Sequence, residues 1–181
     1  MSAGDAQRLF FALWPDDAVR AALVRAAEHP RLARGRRVRA ENLHVTLLFL
    51  GDTAPGQRTC AEQLAETVRA SPFTLVIDQS GWWRRPQVAW VGCAEVPEAL
   101  SGLVAHLRAG SKGCGFSPEE RPFAVHVTVA RRVLREPTAV PLDPIRWAVD
   151  RFSLVESSLS PGGSAYRVLR TWPLGDLGGG R

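Results

Sequence analysis

Amphipathic stretches alternate with short apolar runs along this chain, and the alternation predicts an α+β protein. Apolar residues recur at helical spacing over residues 16–28, so a first helix is predicted there. A second helix is predicted from about residue 55 to residue 70, where Pro72 breaks the pattern. A third is predicted over residues 97–109, with Gly110 near its end. Each helix stands between predicted strands.

The predicted strands are apolar runs rich in β-branched and aromatic residues. Gly51 and Asp52 are expected to end the second strand, and residues 81–87 to form a hairpin-like connection between the third and the fourth. Residues 157–163 are expected to form the turn before the last strand. The strands are predicted over residues 8–14, 43–50, 73–77, 88–91, 124–130, 147–155 and 166–169.

Two of these strands carry the same polar triplet, His44-Val45-Thr46 and His126-Val127-Thr128. Side chains two residues apart on a strand project from the same face, so each triplet presents an imidazole beside a hydroxyl. A single copy in an apolar strand is more often a structural hydrogen-bonded pair. Because the triplet occurs twice, we interpret His44, Thr46, His126 and Thr128 as parts of one functional site.

Phe49 and Arg131 each stand five residues after a triplet histidine. The repeat indicates two related lobes within one domain over residues 1–181, with a cleft lined by one triplet strand from each. Strict alternation, however, sends Phe49 and Arg131 to the opposite face from the histidines. Either the strands twist or bulge there, or these two side chains pack elsewhere.

The chain has 181 residues, enough for one sizeable core or two small lobes, and a net charge of +5. Lys112 is the single lysine, so arginine supplies nearly all of the positive charge. Arginine suits phosphate recognition, and the run from Arg31 to Arg39 is the densest patch. Base composition of the coding genome could produce the same excess of arginine, so this patch alone does not identify a nucleic-acid partner.

Cys60, Cys93 and Cys114 are odd in number and scattered, so we expect reduced thiols. No apolar run approaches the ~20 residues that a bilayer-spanning helix needs, and no signal peptide is indicated. We therefore expect a cytoplasmic protein. Residues 175–181 are Gly-rich and are expected to form a flexible tail.

The residues of the two triplets suit metal-independent phosphodiester cleavage. Histidine has an ordinary pKa near 6.5, so one imidazole can accept a proton while the other donates one. Threonine hydroxyls and the Arg131 guanidinium can bind phosphate oxygens and stabilise the charge of a pentavalent transition state. Metal-binding signatures such as HExxH are absent from the sequence. We therefore expect neither a metal nor another cofactor.

With these residues placed, the sequence resembles the 2H phosphoesterase superfamily, and within it the RNA 2′,3′-cyclic phosphodiesterases also called 2′-5′ RNA ligases. One departure is Val125, where that family usually has proline. The resemblance implies a bilobal, pseudo-symmetric α+β fold, with antiparallel sheets and flanking helices around a central cleft. The matching stretches are residues 8–12, 41–51, 88–92, 123–131 and 154–157, together with Tyr166.

The resemblance also implies hydrolysis of a 2′,3′-cyclic phosphate to a 2′-phosphate, with weak reverse 2′-5′ ligation. By analogy, His44 would protonate the 3′ oxygen and His126 would activate water. Thr46, Thr128 and Arg131 would hold the phosphate, and Phe49 would border the base or ribose. The residues alone do not decide which histidine is the acid.

The sequence leaves two other functions open. One is a 2H enzyme acting on a small cyclic nucleotide, such as a cyclic phosphate of ADP-ribose. The other is a non-catalytic protein that binds RNA ends. In each case we expect a monomer whose partner is RNA or a nucleotide, with no protein partner and no membrane.

Overall fold

The computed structural model describes residues 6–30, 32, 35–137, 141–160 and 163–175. Within these ranges the chain forms three α-helices: α1 Asp17–Ala27, α2 Pro55–Glu66 and α3 Glu98–Gly113. A short 3₁₀ helix spans Ala40–Asn42. The strands of the described residues are β1 Gln7–Leu13, β2 Arg36–Arg37, β3 Val45–Thr53, β4 Phe73–Ile77, β5 Gln79–Trp83, β6 Val88–Gly92, β7 His126–Arg131, β8 Ile145–Val149, β9 Arg151–Ser160 and β10 Gly163–Pro173.

Most of the strands belong to one antiparallel sheet, in the order β10-β9-β1-β3-β7-β6-β5, with β2 paired to β7. A second, two-stranded sheet pairs β4 with β8. The two triplet strands, β3 and β7, are neighbours in the large sheet, and within the described residues one pair, Val45 with Val127, joins them. The predicted α+β class is confirmed, and the two halves of the large sheet meet at the triplets.

Strand β1 is apolar from Leu9 to Leu13 because both of its faces are covered there. Leu9, Phe11 and Leu13 belong to the main core with the helices. Phe10 and Ala12 point to the other face, where they pack with Val155 in a smaller cluster. This smaller cluster lies beneath the face that carries the triplet side chains, because Ala12 pairs with Thr46 in the sheet.

Helix α3 continues through Gly110 to Gly113, so the prediction that it ends near Gly110 was wrong. Gly110 is instead a packing position, because a Cβ placed there would lie 2.1 Å from Cδ1 of Leu64 on α2. Helix α2 is shorter than predicted and ends at Glu66. The Thr67 hydroxyl donates to the Leu64 carbonyl at 2.7 Å and caps its last turn.

Strand β5 was missed, and β4 pairs with β8 rather than with β6. The β5 sequence holds Gly81 and two tryptophans, which resemble a loop more than an alternating strand. Gly81 is required there because the Trp90 ring lies across it, and a Cβ would come within 2.2 Å of Trp90 Cζ2. The β4–β8 pairing joins segments far apart in sequence, which local patterns do not report.

Three strand boundaries also differ from the predictions. β3 continues past Gly51 and Asp52 to Thr53. The predicted strand over residues 147–155 is two strands, since Asp150 separates β8 from β9. Most of the predicted turn over residues 157–163 is strand, because β9 continues to Ser160. Residues 161–162 of that turn, Arg31 and Arg34 of the basic run, and residues 176–181 of the predicted tail lie outside the described residues.

Cys60 and Cys114 form a disulfide, so the expectation that all three cysteines are reduced was wrong. Cys60 lies on α2 and Cys114 at the end of α3, and the packing of these helices brings their Cα atoms to 5.6 Å. A pairing across 54 residues has no local sequence signature. Cys93 is a free thiol, as predicted. None of the described helices has the length and apolar character needed to cross a bilayer.

Candidate active site

The pairing of Val45 with Val127 places the four triplet side chains on one face of the sheet. Both valines are completely buried and point into the core. Their neighbours on either side therefore point the opposite way, out of the core. In an antiparallel pair, the residue before Val45 lies opposite the residue after Val127. The His44 imidazole is therefore beside Thr128, and the His126 imidazole is beside Thr46.

A β-bulge in each triplet strand returns the fifth residue to the site face. In β3, Phe11 pairs with Leu48 and Ala12 with Thr46, so Leu47 is the extra residue. Two consecutive leucines are consequently buried, and Phe49 then lies on the same face as Thr46. The Phe49 ring stands 5.8 Å from that of Phe10, which also contacts the His44 ring.

The bulge in β7 is equivalent. Trp90 pairs with Thr128 and Ala89 with Ala130, so Val129 is the extra residue. Val129 and Ala130 are both buried, and Arg131 emerges on the face of Thr128. The carbonyl of Val129 accepts a hydrogen bond from the Val38 amide at 2.9 Å. Of the alternatives left open by the sequence, bulging of both strands is the one that occurs.

The structure brings all six predicted site residues to one cavity of about 1100 Å³. Phe49 is 63% exposed although it is a large apolar residue, so its ring is available to a ligand. Arg131 lies close enough to both histidines to lower their pKa values. In the described part of the chain, no three His, Cys, Asp or Glu side chains come together in a way that could hold a metal ion.

Backbone hydrogen bonds fix both imidazoles in the same way. His44 Nδ1 lies 2.7 Å from the Asn42 carbonyl oxygen, and His126 Nδ1 lies 2.9 Å from that of Ala124. A carbonyl only accepts, so Nδ1 is the protonated nitrogen in both rings and Nε2 is left as the proton acceptor. His44 Nε2 accepts from the Thr46 hydroxyl at 3.1 Å.

Aromatic rings surround His44. Trp14 stacks on the imidazole at 5.4 Å between ring centroids, Phe10 lies at 5.0 Å, and Tyr166 meets it edge-on at 5.1 Å. The resulting burial lowers the pKa of His44 from 6.5 to about 4. The bond to the Asn42 carbonyl acts in the opposite direction, and the charges of His126 and Arg131 lower the pKa further.

His126 has a similar but more open environment. Trp83 meets its ring edge-on, with 4.5 Å between the centroids. Burial lowers the pKa of His126 below its usual value, the bond to the Ala124 carbonyl opposes this, and the charge of Arg131 adds to the lowering. Both imidazoles are therefore neutral at pH 7 when no anion is present.

The sequence did not assign a place in the site to the rings that surround the histidines. Trp14 and Phe10 belong to the first strand pattern, and Tyr166 begins the last predicted strand and is one of the residues of the family resemblance. The alternation in β1 was the sequence feature that could have placed Phe10 in the site. Phe10 and Ala12 share one face of β1, and they pair with Phe49 and Thr46. Trp83 carried no such signal, since β5 was not recognised as a strand.

Comparisons with known proteins identify the family of this chain. The family model described as 2′-5′ RNA ligase superfamily matches residues 15–160. The chain is 36% identical to the RNA 2′,3′-cyclic phosphodiesterase of Escherichia coli K12 over 93% of this chain and 97% of that protein. It is 35% identical to the Thermus thermophilus protein of the same name, covering 92% of this chain and 90% of the other.

Solved structures give the same result. The chain superimposes on a crystal structure described as a phosphoesterase with a TM-score of 0.88 and 33% identity, covering 94% of this chain and 99% of that one. The crystal structure of E. coli LigT in complex with 3′-AMP gives a TM-score of 0.86 and 35% identity, covering 93% and 98%. The resemblance drawn from the two triplets is thereby confirmed, and the chain belongs to the 2′-5′ RNA ligase superfamily, whose fold it shares.

Proposed function

We propose that this protein hydrolyses the 2′,3′-cyclic phosphate at the 3′ end of RNA to a 2′-phosphate, with His44 and His126 as its acid and base. One observation carries the proposal. Both imidazoles donate through Nδ1 to a carbonyl two residues earlier, which leaves both Nε2 atoms to act in the cavity that Thr128 and Arg131 also line. Two proton-transfer groups beside phosphate-binding groups suit a displacement at phosphorus.

The comparisons support the substrate class. Two curated relatives, of which this chain covers 97% and 90% of the length, are named RNA 2′,3′-cyclic phosphodiesterases. The E. coli structure in complex with 3′-AMP concerns a protein of the same fold. We infer that this chain acts on the same kind of phosphodiester.

The proposed step uses one water molecule. Nε2 of His126 takes a proton from the water as its oxygen attacks phosphorus on the side opposite the 3′ oxygen. The bond from phosphorus to the 3′ oxygen breaks, and His44 gives that oxygen a proton. The products are a 2′-phosphomonoester and a free 3′-hydroxyl. Thr46, Thr128 and Arg131 hold the non-bridging oxygens, on which negative charge increases in the transition state.

The acid must gain its proton together with the substrate. The pKa of His44 is about 4 in the free protein, so its ring is neutral at pH 7. A bound cyclic phosphate carries one negative charge, which favours the protonated imidazole and raises its pKa. We infer that substrate binding near neutral pH is coupled to uptake of one proton.

The same arrangement accounts for the ligation that the family name describes. If the 5′-hydroxyl of a second RNA takes the place of water, breaking the bond to the 3′ oxygen leaves a 2′-5′ phosphodiester. His126 would take the proton of that hydroxyl and His44 would act as before. We propose this as a minor reaction of the same site. The six site residues come from one chain, and on this basis we propose that the protein acts as a monomer. The cytoplasmic location expected from the sequence stays a separate proposal.

The proposal is tested with an RNA oligonucleotide that ends in a 2′,3′-cyclic phosphate, assayed with a chelator present. We expect His44→Ala and His126→Ala each to lower kcat by about 10²–10⁴-fold, the range for a general acid or base. His106→Ala is the matched control, since His106 lies on α3 and contacts Thr67 instead of the cavity. Unchanged turnover in either site variant contradicts the proposal.

A second substrate separates the acid from the base. Replacing the bridging 3′ oxygen by sulfur makes a leaving group that needs no proton. We expect His44→Ala to regain most of its lost rate on this substrate, because the missing acid is no longer required. His126→Ala should stay slow, because water must still be activated. Rescue of the His126 variant alone would reverse the two assignments.

A further inference from the structure

The cavity has a second end beyond the triplets. Because β3 runs antiparallel to β7, the residues after Val45 lie beside the segment that precedes His126. This end of the cavity is lined by Leu50, by residues of that segment such as Phe123, and by Arg108 of α3. The opposite end holds Arg131, with Arg36 directly across from it on β2. Phe49 therefore stands between the phosphate groups of the proposed site and Arg108.

The charge of the lining is strongly positive. Eight of the lining side chains are arginines and one, Glu119, is acidic. Glu119 forms an ion pair with Arg121, so its charge is already neutralised. Arg37 and Arg39 also have acidic partners, with closest N–O distances of 3.8 and 3.9 Å. The cavity thus carries a surplus of positive charge that its own carboxylate does not balance.

Arg108 differs from the other lining arginines. Its side chain is partly buried, and its Nε has no hydrogen-bond partner among the described residues. A buried donor of a charged group without a partner costs free energy unless water or a ligand supplies the acceptor. Arg108 also forms no ion pair within the described residues. A guanidinium in this state, at the wall of a cavity, is suited to a phosphate.

The volume of the cavity also suits a ligand longer than one nucleotide. A volume of about 1100 Å³ exceeds the range of about 300–1,000 Å³ typical of sites for one small ligand. In the proposed reaction the cyclic phosphate lies among Thr46, Thr128 and Arg131, with the terminal base or ribose at Phe49. The 5′ side of that nucleotide then continues past Phe49, in the direction of Arg108.

We propose that Arg108 binds the phosphodiester that joins the terminal nucleotide to the one before it, so that the protein prefers RNA ends over cyclic mononucleotides. This inference rests on the proposed function and adds a substrate-length determinant to it. No atom of Arg108 is assigned to the chemical step. Its contribution is the binding of a phosphate remote from the reacting one.

The test uses three substrates that share the 2′,3′-cyclic phosphate end: a dinucleotide, the same dinucleotide with an uncharged methylphosphonate linkage, and a mononucleotide. Arg108→Met keeps the apolar stem and removes the charge. We expect it to lower kcat/KM for the natural dinucleotide by about ten- to a hundredfold, the range for a charged hydrogen bond. Rates on the other two substrates should stay within about twofold. Arg25→Met, on the exposed side of α1, is the control and should change none of the three.

Equal losses on all three substrates, or no loss on the dinucleotide, overturn the proposal. A folding defect is separated from it, because that would affect the mononucleotide as well. Binding provides a readout that does not need turnover. A dinucleotide ending in a 2′-phosphate should bind the wild type more tightly than its methylphosphonate form does, and Arg108→Met should abolish the difference. If the wild type turns over none of the three, the proposed function fails, and the binding comparison still decides the place of Arg108.

Discussion

The imidazole of His44 should titrate far below the usual range of histidine. Its pKa is lowered from 6.5 to about 4, which corresponds to roughly 3 kcal/mol against the charged form at 1.36 kcal/mol per unit. Burial is the largest cause, and the charges of His126 and Arg131 contribute less. At pH 7 about one molecule in a thousand should carry the proton on His44 in the absence of an anion.

The prediction is checked by following the ring carbon resonances of the four histidines against pH by NMR, with His44 assigned through His44→Gln. Trp14→Ala removes the indole that stacks on the imidazole and admits water, so it should raise the pKa of His44. Arg131→Gln should raise the pKa of His44 by a smaller amount, because the charge of Arg131 makes the smallest contribution to the lowered pKa. A 2′-nucleotide should also raise it. Titration of His44 near 6.5 in the free wild type would refute the reasoning.

The lowered pKa of His44 also predicts how the free energy of unfolding depends on pH. The unfolded chain binds the His44 proton with a pKa near 6.5 and the folded chain with one near 4. The unfolded state therefore binds more protons between these values, so acid favours unfolding. The free energy of unfolding should fall by about 3 kcal/mol more in the wild type than in His44→Gln as pH drops from about 6.5 to about 4, and the difference should then stay constant. Urea unfolding at a series of pH values measures it. Parallel curves for the two proteins would contradict the shift.

Three further predictions concern single features of the structure. Thr46→Val removes the hydroxyl that donates to His44 Nε2 and should lower kcat by about tenfold, less than loss of either histidine, in the cyclic-phosphate assay. Gly110→Ala should lower the free energy of unfolding by about 1–3 kcal/mol because Leu64 occupies the space of the new methyl group, whereas Gly102→Ala on the same helix, with nothing within 4 Å, should raise it by about 0.5–1 kcal/mol. Equal effects at the two glycines in urea unfolding would contradict this packing. Replacing Cys60 and Cys114 together by serine should lower the free energy of unfolding by up to about 4 kcal/mol, given the 54 residues between them, and no loss would show that the crosslink does not stabilise the fold.

Local patterns predicted the parts of the fold that depend on neighbours in sequence. The first strand, the three helices and the two triplets follow from periodicities of two and 3.6 residues. The site chemistry followed from the triplets because His44 and His126 occur in the same short context. These features need no knowledge of which segments pair.

The remainder depends on contacts between distant segments. β4 pairs with β8 across some seventy residues, and Cys60 meets Cys114 only because α2 packs on α3. The strand β5 is recognisable once the Trp90 ring is seen to cover Gly81. The rings around His44 come from β1, from Trp14 directly after it and from β10, so their effect on the pKa of His44 could not be read from the triplet.

The two β-bulges link the local sequence pattern to the contacts between distant segments. Alternation alone would bury Phe49 and Arg131 on the core side of the sheet, where an arginine without a partner is costly. One extra residue directly after each threonine, Leu47 and Val129, turns both side chains back to the site face. The same device at the same place in both triplet strands means that the repeated unit is longer than the triplet itself: an imidazole, a hydroxyl, a bulge, and then a ligand-facing side chain. The two copies differ in that last position, and this difference puts an aromatic side chain, Phe49, on one side of the triplets and a cation, Arg131, on the other. A site built from two equivalent strands can thereby hold an asymmetric substrate in one direction, with a base at one end and a phosphate at the other.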